Sequence, residues 1–232
     1  AVMLLAACSG NEREGDDSGD AGTGDTDTWE DWTGGYGTLR GTVMFPNGTL
    51  PVAEALVYVK ISPPEPIPAG AHCEECTDIS MSFYTLTNPD GTFELEVPAY
   101  GEPWYLVVQK GAFRRYSQYQ VTEGDNDIPL DLTVLPSESS ADGTAIIPRF
   151  AVAKNYYDLA EDMLAKMGLG ELTTAGNLQL GTERFDLYND DVQAGAGYPN
   201  SSQLYSSLSE MMAHNMIFMP CIAGTMKSQM LE

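Results

Sequence analysis

The sequence predicts an α+β fold in more than one domain: an N-terminal antiparallel β-sandwich followed by a partial, parallel α/β domain. Three observations lead there. Residues 36–136 are a succession of short β-branched and aromatic runs, broken by Asn-Gly, Asp-Gly and Pro-containing turns, with no helical period between them. Residues 145–232 change rhythm: short buried-type runs alternate with segments whose apolar residues recur at helical spacing. Ahead of both lies a stretch, residues 9–35, dominated by Asp, Glu, Gly, Ser and Thr. It cannot bury enough surface to offset its ordering entropy, so it is expected to be a disordered, charge-extended tether.

The chain opens on an apolar run, residues 1–7, that ends at Cys8. A bilayer span needs about 20 apolar residues, and a signal peptide carries a basic region before its apolar core. The run therefore reads as the remainder of a signal peptide. Leu5-Ala6-Ala7-Cys8 resembles the lipobox of bacterial lipoproteins. That resemblance implies a diacylglycerol thioether on Cys8 and, with Ser9 next to it, sorting to the outer membrane or cell surface. The chain has 34 acidic against 11 basic residues and a net charge of −23. Phosphate neutralisation needs Lys and Arg clusters, which excludes nucleic acid as a partner. The same charge disfavours direct adsorption to anionic lipid, which leaves Cys8 as the membrane link.

The sandwich elements follow in order. "TLRGTVMF" is the first strand and ends at Pro46-Asn47-Gly48; "ALVYVKI" alternates; "MSFYTLT" leads into the Asp90-Gly91 turn and "TFELEV". "PWYLVVQK", "RRYSQYQVT" and "IPLDLTVL" complete about seven strands. Gly41, Pro51, Ala55, Val57, Asp90, Gly91, Phe93 and Leu95 fall in the pattern of the carboxypeptidase regulatory-like domain, a transthyretin-like sandwich, which residues 36–136 resemble. The resemblance implies a non-catalytic accessory or surface module without an active site. A long loop containing "SPPEPIPAG" carries Cys73-Glu74-Glu75-Cys76. Three readings compete. A Cys73–Cys76 loop disulfide suits an oxidising compartment. A metal site with His72 is short of the usual four zinc ligands. A thioredoxin-like redox motif belongs at a helix start, which this is not. Lys60 with Glu94 or Glu96 and Asp131 raises an intramolecular isopeptide bond, against which strand alternation puts such residues on the solvent face.

Residues 137–144, "SESSADGT", form a linker. Residues 145–153 read as a buried strand. A helix over 155–167 would place Tyr156, Leu159, Ala160, Met163, Leu164 and Met167 on its core face, stopping at Gly168. A second strand spans 184–190. A helix over 201–214 would turn Leu204, Tyr205, Leu208, Met211 and Met212 inward, and a third strand follows at 215–221. This βαβαβ order predicts the first half of a Rossmann-like sheet, with the chain breaking off inside a third helix. With "LVVQKGAFRR", "IIPRFAVA", "LAEDMLAKMGLG" and "MIFMPCIAG" in this order, most of the chain also resembles a group of bacterial surface lipoproteins in which a regulatory-like sandwich precedes a flavodoxin-like or amidotransferase-like domain; no activity carries over from them.

Open α/β sheets bind ligands beyond the carboxyl ends of their strands. Those ends offer Lys154 and Asn155, then Asp190 and Asp191, then Cys221 with Gly224 and Thr225. "MPCIAGT" resembles a nucleophile elbow around Cys221, but Met219 stands where such a turn has glycine. His214 precedes the third strand, so it belongs at the other sheet edge, about 20 Å away. Cys221 is thus a structural thiol before it is a catalytic candidate. No cofactor and no metal ion is called for. The function expected is a surface-anchored lipoprotein whose α/β module binds a small ligand or a protein. The alternatives are a hydrolase or amidotransferase-like enzyme whose catalytic half is missing, and a structural envelope protein.

Overall fold

The structure, a computed structural model, describes residues 32–71, 83–190, 195 and 197–220. Its sheets are mixed and its helices few and short, an α+β architecture. In the first sheet β1 (Tyr36–Thr42) lies between β4 (Thr92–Pro98) and β7 (Gly124–Asp127). The second has the order β3 (Phe83–Leu86), β2 (Leu56–Lys60), β5 (Trp104–Lys110), β6 (Phe113–Tyr119), β8 (Ala145–Ile146). Alternation sorts the faces: on β4, Phe93, Leu95 and Val97 are buried while Glu94 and Glu96 are exposed. Leu39, Val57, Val59, Leu106 and Val108 meet them in one core. The Trp104 indole fills one end, donating to Pro98 O at 2.9 Å with Phe83 and Tyr100 edge-on to it.

Both turn signals hold. Asp90 Oδ1 accepts from Thr92 N and Oγ1, and Asn47 Oδ1 accepts from Thr49 N and Leu50 N. Two expectations fail nearby. The last strand of the set is Gly124–Asp127, not the run after it, and it pairs parallel to β1, so the sheet is mixed rather than antiparallel. Pro129 has no N–H for a ladder, and the chain instead turns into α1 (Leu130–Thr133), pinned where Thr133 Oγ1 donates to Thr42 O. Residues 145–153 are likewise not one strand. Pro148 interrupts them: Ala145–Ile146 extend the second sheet beside β6, and β9 (Phe150–Lys154) starts a new sheet.

That third sheet is parallel, in the order β10 (Asp186–Asn189), β9, β11 (Met216–Phe218). The β9–β10 crossover holds α2 (Ala160–Leu164) and a π-helical turn (Ala165–Leu169); the β10–β11 crossover holds α3 (Ser201–Tyr205) and α4 (Leu208–Met212). Phe150, Val152 and Leu187 join the core of the first two sheets, whereas Ala151, Ala153 and Tyr188 pack with Leu204 and Tyr205. The period of two along β9 thus divides two layers.

The helix faces depart from the expected ones. Tyr156, Leu159 and Met163 are exposed, and the buried residues of α2 are Glu161, Asp162 and Leu164. The side chain of Asn155 holds residues 155–158 in a turn, so the helix starts at Ala160. Leu208 and Met212 are also exposed, because the expected second helix breaks at residues 206–207 into two.

The sheets share one core across residues 137–144. Phe113 and Phe150 stack 5.8 Å apart. The Asn47 turn docks on the π-helical turn, donating from N to Met167 O and from Nδ2 to Lys166 O. Gly168 makes this docking fit: its φ is +99°, and a Cβ there would lie 2.4 Å from Asn47 N.

Candidate functional site

The carboxyl edge of the parallel sheet gathers polar groups from β9, β10, α2 and α3. β9 ends in Lys154 and Asn155, β10 in Asn189 and Asp190, and Asp190 N donates to Lys154 O at 2.9 Å. The edge is thus continuous across the two strands. Asn155 is buried; its Oδ1 accepts from Tyr157 N at 2.8 Å and Asp158 N at 2.9 Å. This Asx turn pushes Tyr156 and Tyr157 into solvent, each 71% exposed.

Behind the turn, α2 points Glu161 inward. Its side chain is completely buried and Oε1 is paired with Lys154 Nζ. Its other oxygen, Oε2, is buried without a hydrogen-bond partner among the described residues. Burying a carboxylate is costly unless its oxygens are satisfied, so this acceptor is conspicuous. Asp162 beside it is spent on structure, accepting from Leu178 N at 2.7 Å. On the β10 side Ser201 Oγ donates to Asp190 Oδ1 at 2.8 Å. The buried Tyr205 hydroxyl has no hydrogen-bond partner among the described residues, and burial, reinforced by the Asp190 charge, pushes its pKa far up. Tyr205 is therefore a neutral phenol.

The strand order places a topological switch point between β9 and β11, since the chain moves from β9 to β10 on one side and then to β11 on the other. Of the ligand candidates read from sequence, Asn155 and Asp190 come together on the other side of β9, at the carboxyl ends of β9 and β10. Asp191, Cys221, Gly224 and Thr225 lie outside the described residues, as do Cys8, His72, Cys73 and Cys76. His214 sits at the amino end, as its place before β11 requires. Its Nε2 lies 2.8 Å from Asp186 Oδ2 and its Nδ1 2.7 Å from Glu210 O. The ring is thereby held away from the carboxyl edge. The isopeptide residues are apart from any such chemistry: Glu94 pairs with Arg40 on the surface, and Glu96 and Asp131 are exposed.

Sequence reasoning missed Glu161, Ser201 and Tyr205. A helical period read from residue 155 turned Glu161 outward; the one available signal was Asn155, whose capping chemistry shifts the helix start. No group of three or more His, Cys, Asp or Glu able to hold a metal occurs among the described residues, and no helix among them is long and apolar enough to cross a membrane. A cleft of about 390 Å³ lies at the opposite, amino end of the sheet and is mostly apolar. The carboxyl edge is the stronger candidate for chemistry because it carries the unpartnered carboxylate oxygen. No family model, curated protein or solved structure matches the chain.

Proposed function

We propose that this chain is a lipid-anchored surface protein in which a carboxypeptidase regulatory-like sandwich carries a Rossmann-like binding module. In this reading Cys8 holds the membrane anchor, residues 9–35 are the spacer, and the ligand is a small molecule bearing hydrogen-bond donors that settles at the carboxyl edge of β9 and β10. One observation carries the binding role: Glu161 is buried, paired with Lys154, and keeps an acceptor oxygen unused. A buried carboxylate oxygen without a partner is costly in packing alone, whereas a ligand donor or a ligand-bound water would satisfy it.

A titration tests the binding role. The ¹⁵N-labelled protein is mixed with a panel of primary amines and monosaccharides, and the amides of Tyr157, Asp158 and Asp190 are followed. Saturable shifts confined to those amides are expected, and Glu161→Gln should abolish them. Shifts spread elsewhere, or none with any member of the panel, contradict the reading. The anchor is tested separately: labelling with a lipid precursor in cells should vanish in Cys8→Ala, and persistent labelling refutes it.

A further inference from the structure

The apolar cleft at the amino end of the parallel sheet has walls that are tied in place. Residues 61–71 cross it as a strap. At one end of the strap the buried Arg114 donates from Nη1 to Glu65 O at 2.6 Å. At the other, Ala71 N donates to Met212 O at 2.8 Å and Asn215 Nδ2 to Gly70 O at 2.7 Å. Between these anchors Ile67 and Pro68 face Ile147, Pro148 and Met212 across about 390 Å³. That volume is within the usual range for a small-molecule site, and an apolar lining with few polar groups is the usual composition.

The polar groups lining the cleft are few, and their state defines the ligand. Asn215 is used up, its Oδ1 accepting from Arg149 N and its Nδ2 bound to Gly70. Ser139 Oγ accepts from Ile147 N. Arg149 is the one charged residue among those lining the cleft. Its Nε is fixed on Asp186 Oδ2 at 2.7 Å, an oxygen that also faces His214 Nε2 at 2.8 Å. The guanidinium is oriented by this contact, and its two Nη groups make no hydrogen bond among the described residues while the side chain stays half exposed. A fixed guanidinium with two free N–H faces beside an apolar trough matches a carboxylate on an apolar tail. The cation is notable in a chain that carries only 11 basic residues.

We propose that this cleft binds a free medium-chain fatty acid, with its carboxylate on Arg149 Nη and its tail along Ile67, Ile147 and Met212. The proposal is independent of the carboxyl-edge reading, since it uses no residue of that site. Isothermal titration and ¹⁵N chemical shifts of the full chain with octanoate below its micellar concentration test it, with 1-octanol, acetate and a short apolar peptide as comparisons. Octanoate should bind saturably and shift the amides of Ala112, Ile147 and Ala213. It should bind at least tenfold more tightly than octanol or the peptide, and acetate should not bind. Arg149→Met should weaken octanoate at least tenfold. Because that change also removes the contact with Asp186, Ile147→Trp is the second variant: it fills the trough with Arg149 intact and should likewise abolish binding. Equal affinity for octanoate and octanol, tighter binding of the peptide, unchanged affinity in either variant, or no shifts at all overturns the proposal.

Discussion

Among the described residues, the buried polar side chains of the first two sheets and their connections are Thr87, Arg114, Asn126 and Thr133; in the parallel unit they are Asn155, Glu161, Asp162, Ser201 and His214. The first set mainly serves the backbone, although the buried Arg114 Nε also has no hydrogen-bond partner among the described residues. Thr87 Oγ1 accepts from Ala55 N and donates to Val52 O, Asn126 closes the turn at Thr122, Thr133 donates to Thr42 O, and Arg114 donates to Glu65 O. The second set includes two carboxylates and an imidazole in a smaller layer. Asp162 does backbone work, but Glu161 keeps an oxygen without a hydrogen-bond partner among the described residues. Neutral groups bonded to backbone contribute about 1 kcal/mol each; buried charge is costly even when paired. The contrast teaches where the fold spends polarity on shape and where it keeps polarity that shape does not need. Local violations of packing logic mark functional sites.

The contrast can be broken most forcefully at Lys154. Lys154→Met leaves Glu161 buried without its cation and should cost roughly 3–5 kcal/mol in urea unfolding. A cost below about 1 kcal/mol would mean that Glu161 is effectively solvated and that the two regions do not differ. Gly168→Ala should cost about 1–3 kcal/mol from the positive φ, and more from the approach of Asn47 N. Gly176→Ala is the control, with a φ of +80° and nothing within 4 Å of an added Cβ. Equal costs at the two sites would show that the Asn47 turn does not seat on the π-helical turn.

Thr133→Val should cost about 1 kcal/mol, the price of one backbone-serving hydroxyl, and should leave the parallel unit's amide shifts unchanged. The smallest effect is at Asp142. Hydrogen bonds from the side chains of Ser140 and Thr144 hold its carboxyl down at about 2, from an ordinary 3.8. A depressed carboxylate stabilises the fold above its unfolded value and loses that contribution as pH falls through the folded one. The Tm gap between the natural chain and Asp142→Ala should therefore be widest above about pH 4 and narrow towards pH 2. A gap independent of pH contradicts the hydrogen-bonded turn.

Much of the sheet architecture was legible because alternation and turn chemistry are local. Asn47-Gly48 and Asp90-Gly91 each bend the chain through their own side chains. The change of period predicts strands over 145–153, 184–190 and 215–221, and parallel strands form within or beside them at 150–154, 186–189 and 216–218. What failed turned on prolines within the runs and on partners distant in sequence. An alternating run after Ile128 looks like a strand, but Pro129 and the reach of Thr133 to Thr42 O settle it as a helix. Residues 145–153 looked continuous, yet Pro148 separates the part that β6 recruits from the part that begins a new sheet. At the carboxyl edge, the positions of Asn155 and Asp190 were legible from the rule about strand ends. Glu161 was not, because its inward direction depends on the Asx turn of Asn155 and on Lys154 reaching across from β9.

The most direct measurement is the unfolding free energy of the double variant Lys154→Met/Glu161→Leu. If the pair is kept for binding, an apolar replacement should be as stable as the natural chain or more so, as replaced buried ion pairs often are, while the ligand-induced shifts at Tyr157, Asp158 and Asp190 disappear. If the double variant is several kcal/mol less stable (about 3 or more), the pair is structural, and the carboxyl edge loses the observation that marks it as a site.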